Sequence, residues 1–170
     1  MKFLIVDAFS EKLFGGNPAG IVILPKGSDF PSDELMVKTA AELRYSETAF
    51  ISIMNNNEFK IRYFTPAAEV DLCGHATVGA FCALAHLGII KKGDTCINHT
   101  LTGDLEVEVG SGYVMMDMAE PRELLTISDE NSLKELYDVL GTKYEKTTKL
   151  LPEMISTGLP DIMVPVSSKE

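Results

Sequence analysis

The chain has 170 residues, 45% hydrophobic and 24% charged, with a formal net charge of -10. That length accommodates one well-buried domain, or one domain and part of a second. The acidic balance excludes a general nucleic-acid binder and disfavours docking onto an anionic membrane, because phosphate binding needs clustered Lys and Arg.

In chain order, Lys2 to Ala8 reads as a first strand and Ala19 to Leu24 as a second, joined by a loop containing Gly15-Gly16-Asn17-Pro18. An acid at Asp7 interrupts the N-terminal apolar run, which argues against a secretion signal. Ser32 is a good N-cap with Asp33 and Glu34 in the first turn, so a helix is predicted to about Leu43. Leu35, Met36, Thr39, Ala40 and Leu43 give it a stripe at helical spacing. Thr48 to Met54 and Glu58 to Thr65 form a predicted hairpin around Asn55-Asn56-Asn57. Its second strand sets Phe59, Ile61 and Tyr63 against Lys60, Arg62 and Phe64, the alternation of a strand with one buried face. An Ala-rich helix from about His75 to Leu87 follows, with Gly88 at C′. Its near lack of charge predicts burial on most sides, hence a central helix wrapped by sheet. Three more strands are expected at Thr95 to Leu101, Asp104 to Val109 and Tyr113 to Met118.

Around Glu120-Pro121 the pattern changes. One amphipathic helix, about Asn131 to Leu140, and one strand, Asp161 to Val166, are expected beyond it. Pro165 inside that strand implies an edge or a boundary. The elements point to an α+β chain, with a first domain at 1–119 and the start of an incomplete second domain at 120–170. No run approaches the roughly 18 apolar residues of a membrane-spanning helix. Cys73, Cys82 and Cys96 are an odd set without CxxC spacing, which argues against a disulfide or zinc framework. Asn98-His99-Thr100 matches an N-glycosylation pattern by chance on this reading, which expects a soluble protein of a reducing, cytoplasmic compartment.

The chemistry-bearing residues gather at two places. Glu47 lies where a helix hands over to a strand, beside apolar Ala49, Phe50 and Ile51. There it can act as a general acid or base, or with Ser46 be a solvated turn residue. Cys73-Gly74-His75 opens the buried helix, whose unpaired first-turn N–H groups and dipole can hold an anion. The same field can favour a Cys73 thiolate, Gly74 lets a ligand approach the backbone, and His75 can donate to a substrate or shuttle a proton. The bland alternatives are an inert Cys, a capping Gly and a His satisfied by backbone. Glu69 and Asp71 read as solvated loop acids rather than metal ligands. Asn17 is a turn residue or a substrate hydrogen-bonder, since Gly15-Gly16-Asn17-Pro18 lacks nucleotide-loop spacing.

Four ordered motifs carry a more specific signal: Val6-Asp7-Ala8-Phe9, Gly16-Asn17-Pro18-Ala19-Gly20, Ser46-Glu47-Thr48-Ala49-Phe50, and Tyr63-Phe64-Thr65-Pro66 through Asp71-Leu72-Cys73-Gly74-His75-Ala76-Thr77. In order and spacing they resemble the PhzF-like family of phenazine-biosynthesis isomerases, and Ser156-Thr157-Gly158-Leu159-Pro160 extends the resemblance along the chain. The resemblance implies a diaminopimelate epimerase-like fold: two pseudo-symmetric domains, each a mixed sheet curled around a central helix, with the site between them. It implies cofactor-independent, metal-free proton transfer on a small carboxylic acid. Glu47 would be the acid/base, with His75 beside the substrate. Gly74 and His75 N–H groups would bind its carboxylate, Cys73 would support, and Asn17 would lie at the cleft edge.

One departure stands out. The family's second half carries a Glu-Asp-Pro motif and a Thr-Gly-Ser run, and nothing after Val166 supplies them. The resemblance therefore implies a fragment or a truncated homologue. Such a chain is expected to pair with itself as a homodimer or with another half, or to be an inactive small-anion-binding remnant. A Cys-dependent hydrolase is a third reading, for which spacing alone supplies no triad.

Overall fold

The computed structural model describes residues 1–144 and 150–167. Positions 145–149 and 168–170 of the expected second domain lie outside the described residues. The chain divides into a first unit, Met1–Asp117, and a second, Met118–Glu170.

The first unit forms β1 (Lys2–Ala8), β2 (Asn17–Ile23), α1 (Asp33–Leu43), β3 (Thr48–Ile53), β4 (Glu58–Phe64), β5 (Glu69–Val70), α2 (Gly74–His86), β6 (Thr95–Thr100), β7 (Gly103–Val109) and β8 (Val114–Met116). One sheet takes these strands in the order β1-β2-β3-β4-β6-β7-β8, with β5 as a further partner of β4. The β2–β3 and β4–β6 pairs are parallel and the others antiparallel. The expected α+β architecture, a mixed sheet curled around a central helix, is the one observed.

α2 causes the curl. Ala76, Thr77, Gly79, Ala80, Phe81, Ala83 and Leu84 are all buried along its 13 residues. A helix this apolar must be covered on most sides, and it touches β1 and β8, the two ends of the strand order, as well as β2, β3 and β7. Ile21, Ile23, Ala49, Ile51, Phe59, Ile61, Tyr63 and Val107 supply the sheet side of this core. Phe59 and Phe81 meet edge to face at 5.5 Å. Each large side chain removed from water here contributes about 1.5–3 kcal/mol. The helix stops in a Schellman motif: Gly88 N–H donates to the Ala85 carbonyl and Ile89 N–H to that of Leu84. Gly88 sits at φ +68°, a conformation its missing Cβ makes cheap.

α1 covers the opposite face through Met36 and Ala40, which pack on Val22, Leu24, Phe50 and Phe64. Its buried stripe is narrower than the periodicity predicts, and Leu35 is exposed. The β4 expectation also needs correction. Phe64 is buried on the α1 side, edge to face with Phe50, so β4 is covered on both faces there.

β5 was not expected as a strand, and its two residues are held by a side chain. Arg62 on β4 donates from Nε and Nη2 to the Glu69 carboxylate at 2.7 and 2.6 Å. Its Nη1 also lies 2.9 Å from Asp33 at the start of α1. The guanidinium lies against the rings of Phe30 and Phe64, and hydrogen bonding to Glu69 raises its already high pKa further. Glu69 is therefore not a solvated loop acid, whereas Asp71 is exposed as expected.

The second unit forms β9 (Arg122–Thr126), α3 (Glu130–Val139), β10 (Glu153–Ser156) and β11 (Pro160–Met163), the strands pairing antiparallel in the order β11-β10-β9. Asp129 caps α3 by accepting from Ser132 N–H, and Leu133 and Tyr137 are its buried residues. β9 and β10 escaped the sequence reading because neither alternates cleanly. The late strand ends at Met163, before Pro165, whose carbonyl accepts the Tyr137 hydroxyl. Among the described residues no helix is long and apolar enough to cross a membrane.

The Arg62 geometry yields a stability test. Arg62 and Glu69 side chains are 19% and 22% exposed, against 75% for Asp33. Arg62→Ala strands the Glu69 carboxylate and is expected to cost about 2 kcal/mol or more. Asp33→Asn is expected to cost under about 0.5 kcal/mol. Urea unfolding of both variants measures this, and equal losses would show that the clamp is not centred on Glu69.

Candidate active site

Strand register carries the candidate residues to one end of the sheet. Thr48 opens β3 opposite Phe64, and Phe64 in turn lies opposite Glu69 on β5. Glu47 precedes Thr48, and Cys73 follows β5 by three residues as the N-cap of α2. Glu47 and the mouth of α2 are thereby brought together across a sequence gap that no local pattern spans.

The backbone at Glu47 is held from two sides. Arg44 ends α1 in the left-handed conformation, φ 61°, with its N–H donating to the Ala40 carbonyl. That turn feeds Tyr45-Ser46-Glu47 into β3. Gly20 N–H then donates to the Glu47 carbonyl at 3.1 Å. A Cβ at Gly20 would lie 2.9 Å from Thr48 Oγ1, so glycine is what lets β2 come this close. Gly16 is constrained more severely, since its Cβ would stand 2.1 Å from the Ala8 carbonyl oxygen.

The mouth of α2 is fixed from below by a buried polar chain. Asn98 Nδ2 donates to the Tyr63 hydroxyl at 2.9 Å, and that hydroxyl lies 2.6 Å from Thr77 Oγ1. Thr77 Oγ1 donates to the Cys73 carbonyl at 2.7 Å, which also accepts Thr77 N–H. With Thr77's proton so committed, Tyr63 is the donor to Thr77. Burial pushes the Tyr63 phenol up to about 12, keeping that proton in place.

Above this chain, His75 lies between Glu47 and Cys73. His75 Nε2 is 3.3 Å from Glu47 Oε2 and 3.4 Å from Ser46 Oγ, while Nδ1 is 3.3 Å from Cys73 Sγ. The Glu47 and His75 side chains are 22% and 10% exposed. The Cys73 thiol is pushed up to about 12, first by burial and further by the Glu47 carboxylate, while backbone N–H groups of Ala76 and His75 pull it down. Cys73 is thus a neutral thiol, contrary to the thiolate its helix-start position suggests. Desolvation beside a carboxylate outweighs the helix field.

The remaining candidates fall in different places. Gly74 is exposed at the first turn, with open space where a Cβ would project. Asn17 is exposed at the start of β2, with no side-chain hydrogen bond to Glu47, Cys73 or His75 among the described residues. Sequence reasoning missed Ser46, Tyr63, Thr77 and Asn98 as supports of the site. For the last three the available signal was a polar residue at a position otherwise meant for core.

Two outcomes test this geometry. Alkylation of Cys73 by iodoacetamide near neutral pH is expected to run at least about tenfold slower than that of an exposed thiol, because so little thiolate is present. It should keep accelerating above pH 9, as peptide mapping would show; levelling off near pH 8 would contradict the neutral-thiol assignment. Gly74→Ala is expected to fold and to be as stable as the parent or up to about 1 kcal/mol more so, read by thermal unfolding.

The comparisons agree with one another. The family model for phenazine biosynthesis-like proteins, PhzC-PhzF, matches residues 6–170. The uncharacterized isomerase YfhB of Bacillus subtilis is 36% identical over 174 residues, covering 99% of this chain and 57% of its own length. A PhzF-family phenazine biosynthesis protein from Bacillus anthracis superposes with a TM-score of 0.81 at 30% identity, covering 98% of this chain and 56% of that one. A predicted epimerase from Pseudomonas aeruginosa gives 0.82 at 23% identity, covering 98% and 60%, and shares the fold. The chain spans about half the length of the curated relatives it matches. From motif order, fold and family match together, the chain belongs to the phenazine biosynthesis-like PhzF family.

Proposed function

We propose that the chain carries the acid/base half of an isomerase that moves a proton on a small carboxylic acid without a cofactor. The observation that supports this most is the Glu47–His75 contact at 3.3 Å, beside the first turn of a buried helix. Homologues named as isomerases and an epimerase-like fold favour that class of reaction.

In this reading Glu47 takes a proton from a carbon acidified by a neighbouring carbonyl or alkene and returns it at another carbon. His75, within reach of Glu47, helps hold the charge that develops. The N–H of Gly74, an exposed residue, binds the substrate carboxylate in this reading, favoured there by the positive end of the helix dipole. Cys73 stays protonated and shapes the pocket. Asn17 lines its rim. A second chain supplies the facing wall, and a cytoplasmic homodimer is part of the same proposal. Its rival is a homologue that binds a small anion at the exposed first turn of α2, or self-associates, without catalysis.

The test is solvent exchange. The protein, incubated in deuterium oxide with a panel of unsaturated and α-amino carboxylic acids, is expected to wash deuterium into one class, followed by NMR. Glu47→Gln should slow this by at least about 100-fold. Light scattering on the same samples reports the association state. Exchange at the parent rate in Glu47→Gln would remove Glu47 from the acid/base role, and carboxylate binding without exchange would favour the rival.

A further inference from the structure

We propose that Glu47, Cys73 and His75 form a binding site for a thiophilic divalent cation of the Zn2+ class. One ligand atom from each lies within 4.8 Å of the other two, the only such trio among the described residues. The set is one carboxylate oxygen, one imidazole nitrogen and one sulfur, a combination that suits zinc and its heavier congeners rather than Mg2+ or Ca2+. The His99–Asp104 contact on the β6–β7 hairpin shows the contrast: only two groups, with the Asp104 side chain 67% exposed.

Geometry favours the trio specifically. Bond lengths of about 2.3 Å to sulfur and about 2.0–2.1 Å to nitrogen place those two atoms roughly 3.5 Å apart in a tetrahedral site. Cys73 Sγ and His75 Nδ1 stand 3.3 Å apart, and the pair is presented rigidly by the first turn of a helix anchored through Thr77 and Tyr63. Glu47 faces the other ring nitrogen, Nε2, at 3.3 Å, so closing the third position requires its carboxylate to swing to the Nδ1 side of the ring, within the 4.8 Å span of the trio. The open space beside Gly74 leaves room for water or a carboxylate as the fourth ligand.

Charge balances as well. Binding displaces the thiol proton to the buffer, and the resulting thiolate with the Glu47 carboxylate gives two negative charges against a dication. The half-buried site thus becomes neutral overall, which lowers the cost of desolvating the ion. The cation would occupy the lone pairs that proton transfer needs, so its presence would silence that chemistry. This last consequence rests on the catalytic reading above, whereas the binding itself does not.

The test uses Cd2+ as a spectroscopic stand-in and Zn2+ by calorimetry on the intact chain. One equivalent of Cd2+ should produce a thiolate-to-metal ultraviolet band that excess Mg2+ does not displace. Cys73→Ser should abolish the band. Glu47→Gln and His75→Asn should each weaken Zn2+ binding at least tenfold while keeping native circular dichroism, which covers the case of a poorly folded Cys73→Ser. A band that survives in Cys73→Ser, or parent-like Zn2+ affinity in both other variants, would overturn the site. If Zn2+ binds as stated while the parent chain shows no solvent exchange, the metal site stands and the catalytic reading falls.

Discussion

Burial of α2 is the constraint on which the first unit depends. A helix built mainly of Ala, Gly, Val, Phe, Cys and Leu, exposed only at its two ends, has no wet face along its length to offer, so the sheet must wrap it. β1 and β8, at opposite ends of the strand order, both touch it. Wrapping leaves the two helix ends as the places where its backbone polar groups must find partners. The C-terminal end closes on itself through the Gly88 Schellman turn. The N-terminal end is left for Cys73, Gly74 and His75. The location of the candidate site is therefore a by-product of how the core is built.

Support for that site comes from polar groups kept inside an apolar core. Asn98, Tyr63 and Thr77 line up behind the Cys73 carbonyl. They hold the N-cap in one conformation without touching the solvent side. The Arg62–Glu69 pair does comparable work one strand turn away, fastening the two-residue β5 so that the chain re-enters at the correct height. Neither feature is chemistry in itself. Each restrains a segment that leads into the mouth of α2, β5 in one case and the Cys73 carbonyl in the other.

The environment also decides what each group can be. Cys73 at a helix start has the local field of a thiolate, yet burial and the Glu47 carboxylate make it a neutral thiol. The two uses proposed for the trio it forms with His75 and Glu47, proton traffic and metal capture, exclude one another because they draw on the same lone pairs.

Most of the helices and long strands were legible in the sequence because each obeys a local rule. Ser32 and the acids after it begin α1, an uncharged Ala-rich run makes α2, and Gly88 stops it. Alternation marked β4, and glycines marked the turns. The exposed β9 and the two-residue β5 were not legible, since pairing partners rather than their own residues define them. The sequence by itself determined that polar groups would crowd the start of a buried helix and that Glu47 would sit at a helix-to-strand junction. Only the tertiary structure decided that these two places meet, that Glu69 belongs to Arg62, and that the thiol keeps its proton. Distances across a sheet and the dielectric around a side chain are set by segments far apart in the chain, and no local pattern encodes them.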